Sequence, residues 1–204
     1  HKEYRRQRQM CIRDRAYSLR WYREVFNDPK WILAIKNSFF IGILSTILAT
    51  ILGTCAAIGL ARDEMPFRRF ITALLLSPMI VPLIITAAGM FFFYSNLGLA
   101  GGYLGVILAH AALGTPFVII TVTATLTGFD YSLARAALNL GATPIRVFFD
   151  VIMPLIRPGV ISGALFAFIT SFDEVVVILF MAGPQQRTIP CLLYTSDAAD
   201  DTPC

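Results

Sequence analysis

The chain has 204 residues, 56% of them hydrophobic and only 15% charged, with a mean hydropathy of +0.67. Soluble domains carry about a quarter charged residues, so this composition favours a membrane protein before any motif is read. The net charge of +4 is scattered between apolar runs, with no aromatic-interleaved basic patch, which argues against a nucleic-acid partner.

Both ends stand apart from the rest. Residues 1–15 (HKEYRRQRQMCIRDR) are strongly basic and show no helical or strand period, and residues 191–204 (CLLYTSDAADDTPC) turn abruptly polar and acidic. MCIRDR and CLLYTSDAADD resemble translated adaptor sequence, so these two segments are expected to be non-native and are set aside from fold reasoning. Without them eleven basic and eight acidic residues remain, a net +3. Cys55 is then the one securely native cysteine, and no disulfide framework or metal-ligand spacing survives. Residues 16–190 form the expected transmembrane domain.

Residues 16–30 read as an amphipathic interfacial helix, with Leu19, Tyr22, Val25 and Phe26 on one face and Arg20, Arg23 and Glu24 between them. The first span is predicted over 39–60, an uncharged run long enough for about 30 Å of hydrocarbon. Its small residues Gly42, Ser45, Ala49, Gly53, Ala56 and Ala57 suit close helix packing. The second span, 70–94, is broken by Pro78 and Pro82 and ends in Phe91, Phe92, Phe93 and Tyr94. Tyr94 suits an interfacial anchor or a cation–π contact with a cationic solute. The third span, 104–126, contains His110 and Pro116, and a lone intramembrane histidine suggests a hydrogen bond to a neighbouring helix before a ligand or proton carrier.

A polar island follows, residues 130–158 (DYSLARAALNLGATPIRVFFDVIMPLIRP). Asp130 is placed to cap a helix over 131–140, with Leu133, Ala137 and Leu140 on one face. Gly141 sits where a helix would end in a left-handed residue. Thr143-Pro144 restarts the chain as cap and first helical residue. Ile145, Phe148 and Ile152 form the stripe of a second helix, which Pro154 and Pro158 are expected to close. The fourth span, 160–182, carries Ser171, Phe172, Asp173 and Glu174, and an acid pair inside a span is costly unless it faces a cavity or a partner. The loop before the second span holds Arg62, Arg68 and Arg69, and the 130–158 island holds Arg135, Arg146 and Arg157, whereas the loop between them is uncharged. The positive-inside rule puts both basic loops in the cytoplasm.

Ala136-Ala137, Leu140-Gly141-Ala142, Phe148, Ile152, Met153-Pro154 and Pro158-Gly159 resemble the coupling loop of permease subunits in binding-protein-dependent ABC importers. Arg135 stands where that family has a glutamate. SLRWYREVFND and SFDEVVVILFMAGPQQRTIP are similar to segments of spermidine/putrescine-type permeases. The resemblance implies an all-α, polytopic membrane protein with the type I ABC importer fold, here with about four of six spans. It implies a non-catalytic subunit in a bacterial inner membrane, embedded in lipid, that conducts a small solute such as a polyamine. The implied partners are a cytoplasmic ATPase dimer that binds ATP-Mg, a second permease subunit forming a heterodimer, and an extracytoplasmic solute-binding protein. The coupling residues would be Arg135, Ala136, Ala137, Leu140, Gly141, Ala142, Phe148 and Pro154. The substrate path would run past Asp173, Glu174, His110 and Tyr94.

The chain has no phosphate-cradling G-x-x-x-x-G-K-[ST] of its own, and neither H-E-x-x-H nor G-x-S-x-G. Two other classes remain open: an ion-coupled secondary transporter using Asp173, Glu174 and His110, and an intramembrane hydrolase using Ser171.

Overall fold

The computed structural model describes residues 27–61, 65–128 and 131–200. The expected interfacial helix before residue 27, the first adaptor-like segment and the Asp130 cap lie outside the described residues. The helices, in chain order, are α1 (Pro29–Leu60), α2 (Arg68–Ile80), α3 (Leu83–Asn96), α4 (Tyr103–Thr127), α5 (Tyr131–Asn139), α6 (Pro144–Val147), α7 (Met153–Asp173), α8 (Val176–Met181) and α9 (Ile189–Asp200). A π-helical turn, Phe148–Ile152, joins α6 to α7.

α1, α4 and α7 pack against one another and form the centre of the fold. Each writes its contact face as a ridge at every fourth residue. The ridges are Asn37, Ile41, Ser45, Ala49, Gly53 and Ala57 on α1, and Val106, His110, Gly114, Val118 and Val122 on α4. On α7 the ridge is Gly159, Gly163, Ala167 and Ser171. All of these residues are buried, and most are small, as lipid-embedded helices require for close backbone approach. A Cβ at Gly163 would stand 2.8 Å from the Val118 Cα, so only glycine fits there. The opposite faces are large and exposed, such as Ile47 and Ile51 on α1 and Leu165 and Ile169 on α7.

α1, α4 and the run Pro144–Asp173 are each long and apolar enough to cross a membrane. α2 and α3 together make a fourth candidate, but they are bent by 107° at Val81-Pro82. The break lies beside Leu113 and Phe117, halfway along α4. α2 starts beside Leu60 and Thr127, and Tyr94 near the end of α3 packs against the cluster that holds Val106, at the start of α4, and Met181. The pair therefore runs from one end of α4 to the other as a broken span.

Two expectations are corrected. Pro154 and Pro158 do not close a helix: the chain continues helical through both, from Pro144 to Asp173. Pro154 cannot donate to Asp150, and the π-helical turn just before it shifts the ladder by one residue, so that Met153 N–H bonds the Phe148 carbonyl. Pro158 costs one more bond, on an exposed side. The last membrane helix therefore begins at Met153 rather than 160 and stops at Asp173, and a short separate helix, α8, follows.

Candidate functional site

The 131–152 segment is built as two short helices around a glycine corner. Gly141 has φ +86°, and its N–H bonds Leu138 O at 3.0 Å while Ala142 N–H bonds Ala137 O at 3.1 Å. This is a Schellman stop, in which a left-handed residue lets the final carbonyls find donors. Thr143 restarts the chain, its hydroxyl accepting from Arg146 N–H at 3.4 Å, with Pro144 at the first helical position. The inner side of this segment is anchored by Ala134, Val147, Val151 and Ile152, which join the packed core. The outer side is apolar and open: Leu140 is 89% exposed, Ile145 73% and Phe149 60%. Gly141, Thr143, Ile145, Arg146, Phe149 and Asp150 line a shallow depression there. Leu133 and Ile145, each on one of the apolar stripes, face outward, while Ala134 and Val147 carry the packing. Arg135 and Ala136 are exposed, Ala137, Ala142 and Phe148 are half-buried, and Pro154 is exposed at the start of α7.

Asp173 and Glu174 sit where α7 ends. Glu174 takes an extended conformation, is buried, and accepts the Val177 N–H at 3.1 Å, capping α8. Asp173 is exposed. Both acids and Thr170 line a cavity of about 400 Å³. Glu174 and Thr170 also border a second, of about 430 Å³, formed by the Pro78–Pro82 break, Leu113 and Phe117.

His110 is 1% exposed and belongs to a polar relay across three helices. The Ser45 hydroxyl donates to Ile41 O at 2.6 Å, so it accepts from Ser171 at 2.8 Å. Ser171 in turn accepts from His110 Nδ1–H at 2.8 Å. That order leaves His110 Nε2 as a bare acceptor, buried and without a partner among the described residues. Tyr94 lies elsewhere, half-buried against the cluster of Val106, Ala109 and Met181. The structure thus brings Asp173 and Glu174 together but puts neither His110 nor Tyr94 on the walls of their cavities.

The sequence reading missed a polar clamp at the other end of the molecule. Asn37 Nδ2 donates to the carbonyls of Gln185 (2.7 Å) and Arg187 (3.0 Å). Tyr103 OH donates to Asn37 Oδ1 at 3.0 Å, and Ile189 N–H to Ser38 Oγ at 2.9 Å. These bonds tie the 182–188 loop to the start of α1 and α4. An asparagine two residues before an apolar run was the available signal. The clamp lies opposite the two arginine-bearing loops, so it falls on the extracytoplasmic side.

Three packed spans, a broken fourth, and an exposed apolar corner on the basic side make up a polytopic α-helical membrane protein, and its family places it in the transporter-permease class. The chain belongs to the family of binding-protein-dependent transport system inner membrane components, whose model matches residues 49–198. It is accordingly a multi-pass protein of the bacterial inner membrane. It is 35% identical over 192 residues to the putrescine transport system permease protein PotI of Escherichia coli K12, covering 89% of this chain and 67% of that protein. It is 31% identical over 189 residues to the spermidine/putrescine transport system permease protein PotC of Haemophilus influenzae, covering 93% and 74%. The fold matches a chain of a bacterial ABC transporter involved in import of the polysaccharide alginate, with a TM-score of 0.71 at 19% identity, covering 90% of this chain and 64% of that one. The chain thus spans about two thirds of the length of these proteins.

Proposed function

We propose that this chain is a non-catalytic permease subunit of an ATP-driven importer and that its solute is a polyamine. The observation that carries the reading is the corner around Gly141. Leu140, Ile145 and Phe149 are turned away from the core, ahead of α7, on the side that the arginines assign to the cytoplasm. Apolar side chains held outward on a rigid, capped turn suit a protein partner. The partner proposed is a cytoplasmic ATPase dimer, which would bind ATP-Mg. A second permease subunit and an extracytoplasmic solute-binding protein complete the assembly. ATP binding would move the docked corner, and the continuous helix from Pro144 to Asp173 would carry that motion to the acid pair at its far end. Arg135, exposed on α5, would meet the ATPase with a positive charge where the coupling-loop resemblance implies a glutamate.

The polyamine reading draws on the resemblance to putrescine and spermidine/putrescine permeases. It also draws on Asp173 and Glu174, two carboxylates beside cavities with apolar walls, where an ammonium group is attracted more strongly than in open water. Uptake of labelled putrescine by cells carrying the whole system tests both parts. The pair Asp173→Asn and Glu174→Gln should abolish uptake with the complex still assembled; Gln at 174 retains the oxygen that caps α8. Ile145→Asp should abolish uptake and release the ATPase. Unchanged uptake in the first pair refutes the acid path, and an ATPase retained by the Ile145 variant refutes the docking corner.

A further inference from the structure

One further cavity plays no part in that reading. It holds about 770 Å³ and opens between α2 and α4 at the cytoplasmic end of the spans, beside Leu60 and Thr127. Its chemistry is layered. Arg68 and Arg69, both exposed, form the first turn of α2 at the mouth. Thr123 comes next, one turn inside α4. Thr115, Thr121, Thr125 and Thr127 all donate their hydroxyls to carbonyls of their own helix, but the Thr123 hydroxyl is buried without a partner among the described residues. The deepest wall is apolar: Leu76, Ile119 and Ile120.

The depths correspond to a particular kind of molecule. Four residues of helix put Thr123 about 6 Å inside the Thr127 end, and Ile119 lies about 12 Å inside it. Half of a bilayer's hydrocarbon is about 15 Å thick. Two cations at the water boundary, a hydroxyl about 6 Å in, and an aliphatic slot below that match in order a phosphate, a glycerol ester carbonyl and an acyl chain. Cationic pockets between helices on the cytoplasmic side are where anionic headgroups are held. Phe67 and Phe70, 82% and 68% exposed, flank the arginines on the same turn and suit the interface. We propose that this cavity is a binding site for one anionic phospholipid of the inner leaflet. Arg68 and Arg69 hold its phosphate, Thr123 donates to an ester carbonyl, and Leu76, Ile119 and Ile120 cover a chain.

The test is native mass spectrometry of the full chain, purified from bacterial membranes and exchanged with phosphatidylglycerol or with phosphatidylethanolamine of the same chains. The expected result is one phosphatidylglycerol retained in preference to phosphatidylethanolamine. Replacing both Arg68 and Arg69 by Gln should cut that preference roughly tenfold or more. Thr123→Val should weaken retention of both lipids without changing the preference. Ala124→Trp, which fills the cavity and leaves the arginines in place, should remove the retained lipid. Since both arginines are exposed, the Gln variants should keep wild-type helical content by circular dichroism and so report on binding alone. Equal retention of the two lipids, or a preference unchanged in the double Gln variant, overturns the proposal. So does displacement of the lipid by millimolar inorganic phosphate, which assigns the mouth to a free anion, and so does a wild-type chain that retains no lipid because protein covers the cavity.

Discussion

The α1–α4–α7 block and the bent α2–α3 pair have similar apolar compositions and opposite packing. The block buries a ridge on each helix, whereas α2 has no buried residue and α3 only Ala87. The difference lies in side-chain size rather than polarity. α1 from Ser45 to Ala57 and α7 from Gly159 to Ser171 carry glycine, alanine or serine at every fourth position, and α4 meets them with Gly114 among valines, so the backbones approach closely. α2 offers Phe70, Leu74 and Ile80, all more than 60% exposed. Two of the cavities described above border α2 for that reason. In a bilayer, where lipid is as apolar as leucine, association follows shape and interhelical hydrogen bonds, and the sequence of small residues decides which helices form the fixed part.

The largest expected effect breaks the contrast directly. Gly163→Leu drives a side chain into the α4 backbone and should destabilise the fold by on the order of 3 kcal/mol, whereas Gly89→Leu, with open space around it on α3, should stay within about 0.5 kcal/mol. Thermal unfolding in detergent reads both, and equal losses would show that the block is no tighter than the pair. Smaller is the relay inside the block. Ser171→Ala should cost about 1 kcal/mol, because interhelical hydrogen bonds in membranes are individually modest. The Ser45→Ala and Ser171→Ala double variant should lose less than the sum of the two single changes. Strict additivity would mean that the two hydroxyls do not share a bond in the folded protein.

Much of the fold was legible from hydropathy, since uncharged runs near bilayer length mark the spans. The corner at Gly141, Thr143 and Pro144 was also legible, because each of those residues has one strong local preference. Three features were not. Pro154 and Pro158 read as helix stops, but the preceding π-helical turn absorbs the missing donor. Periodicity put Leu133, Ala137 and Leu140 on one face and Ile145, Phe148 and Ile152 on another, but it does not say which side is inside, and Leu133, Leu140 and Ile145 turn outward. The Asn37 clamp joins residues about 150 positions apart in the chain, and nothing local announces such a pairing. At the acid pair, the chemistry was visible in the residue types, whereas the end of α7 at Asp173 came from the geometry.

The central claim is that the Gly141 corner is a cytoplasmic docking surface. Cysteine labelling tests it most directly, in a background where the chain's four cysteines are replaced by serine. Ile145→Cys and, at the opposite end, Leu97→Cys are exposed to a membrane-impermeant maleimide. The expected result is that position 97 labels in intact spheroplasts and position 145 only after permeabilisation, with added ATPase subunit slowing the reaction at 145 and leaving 97 unchanged. Labelling of 145 from outside, or no protection by the ATPase, contradicts the account.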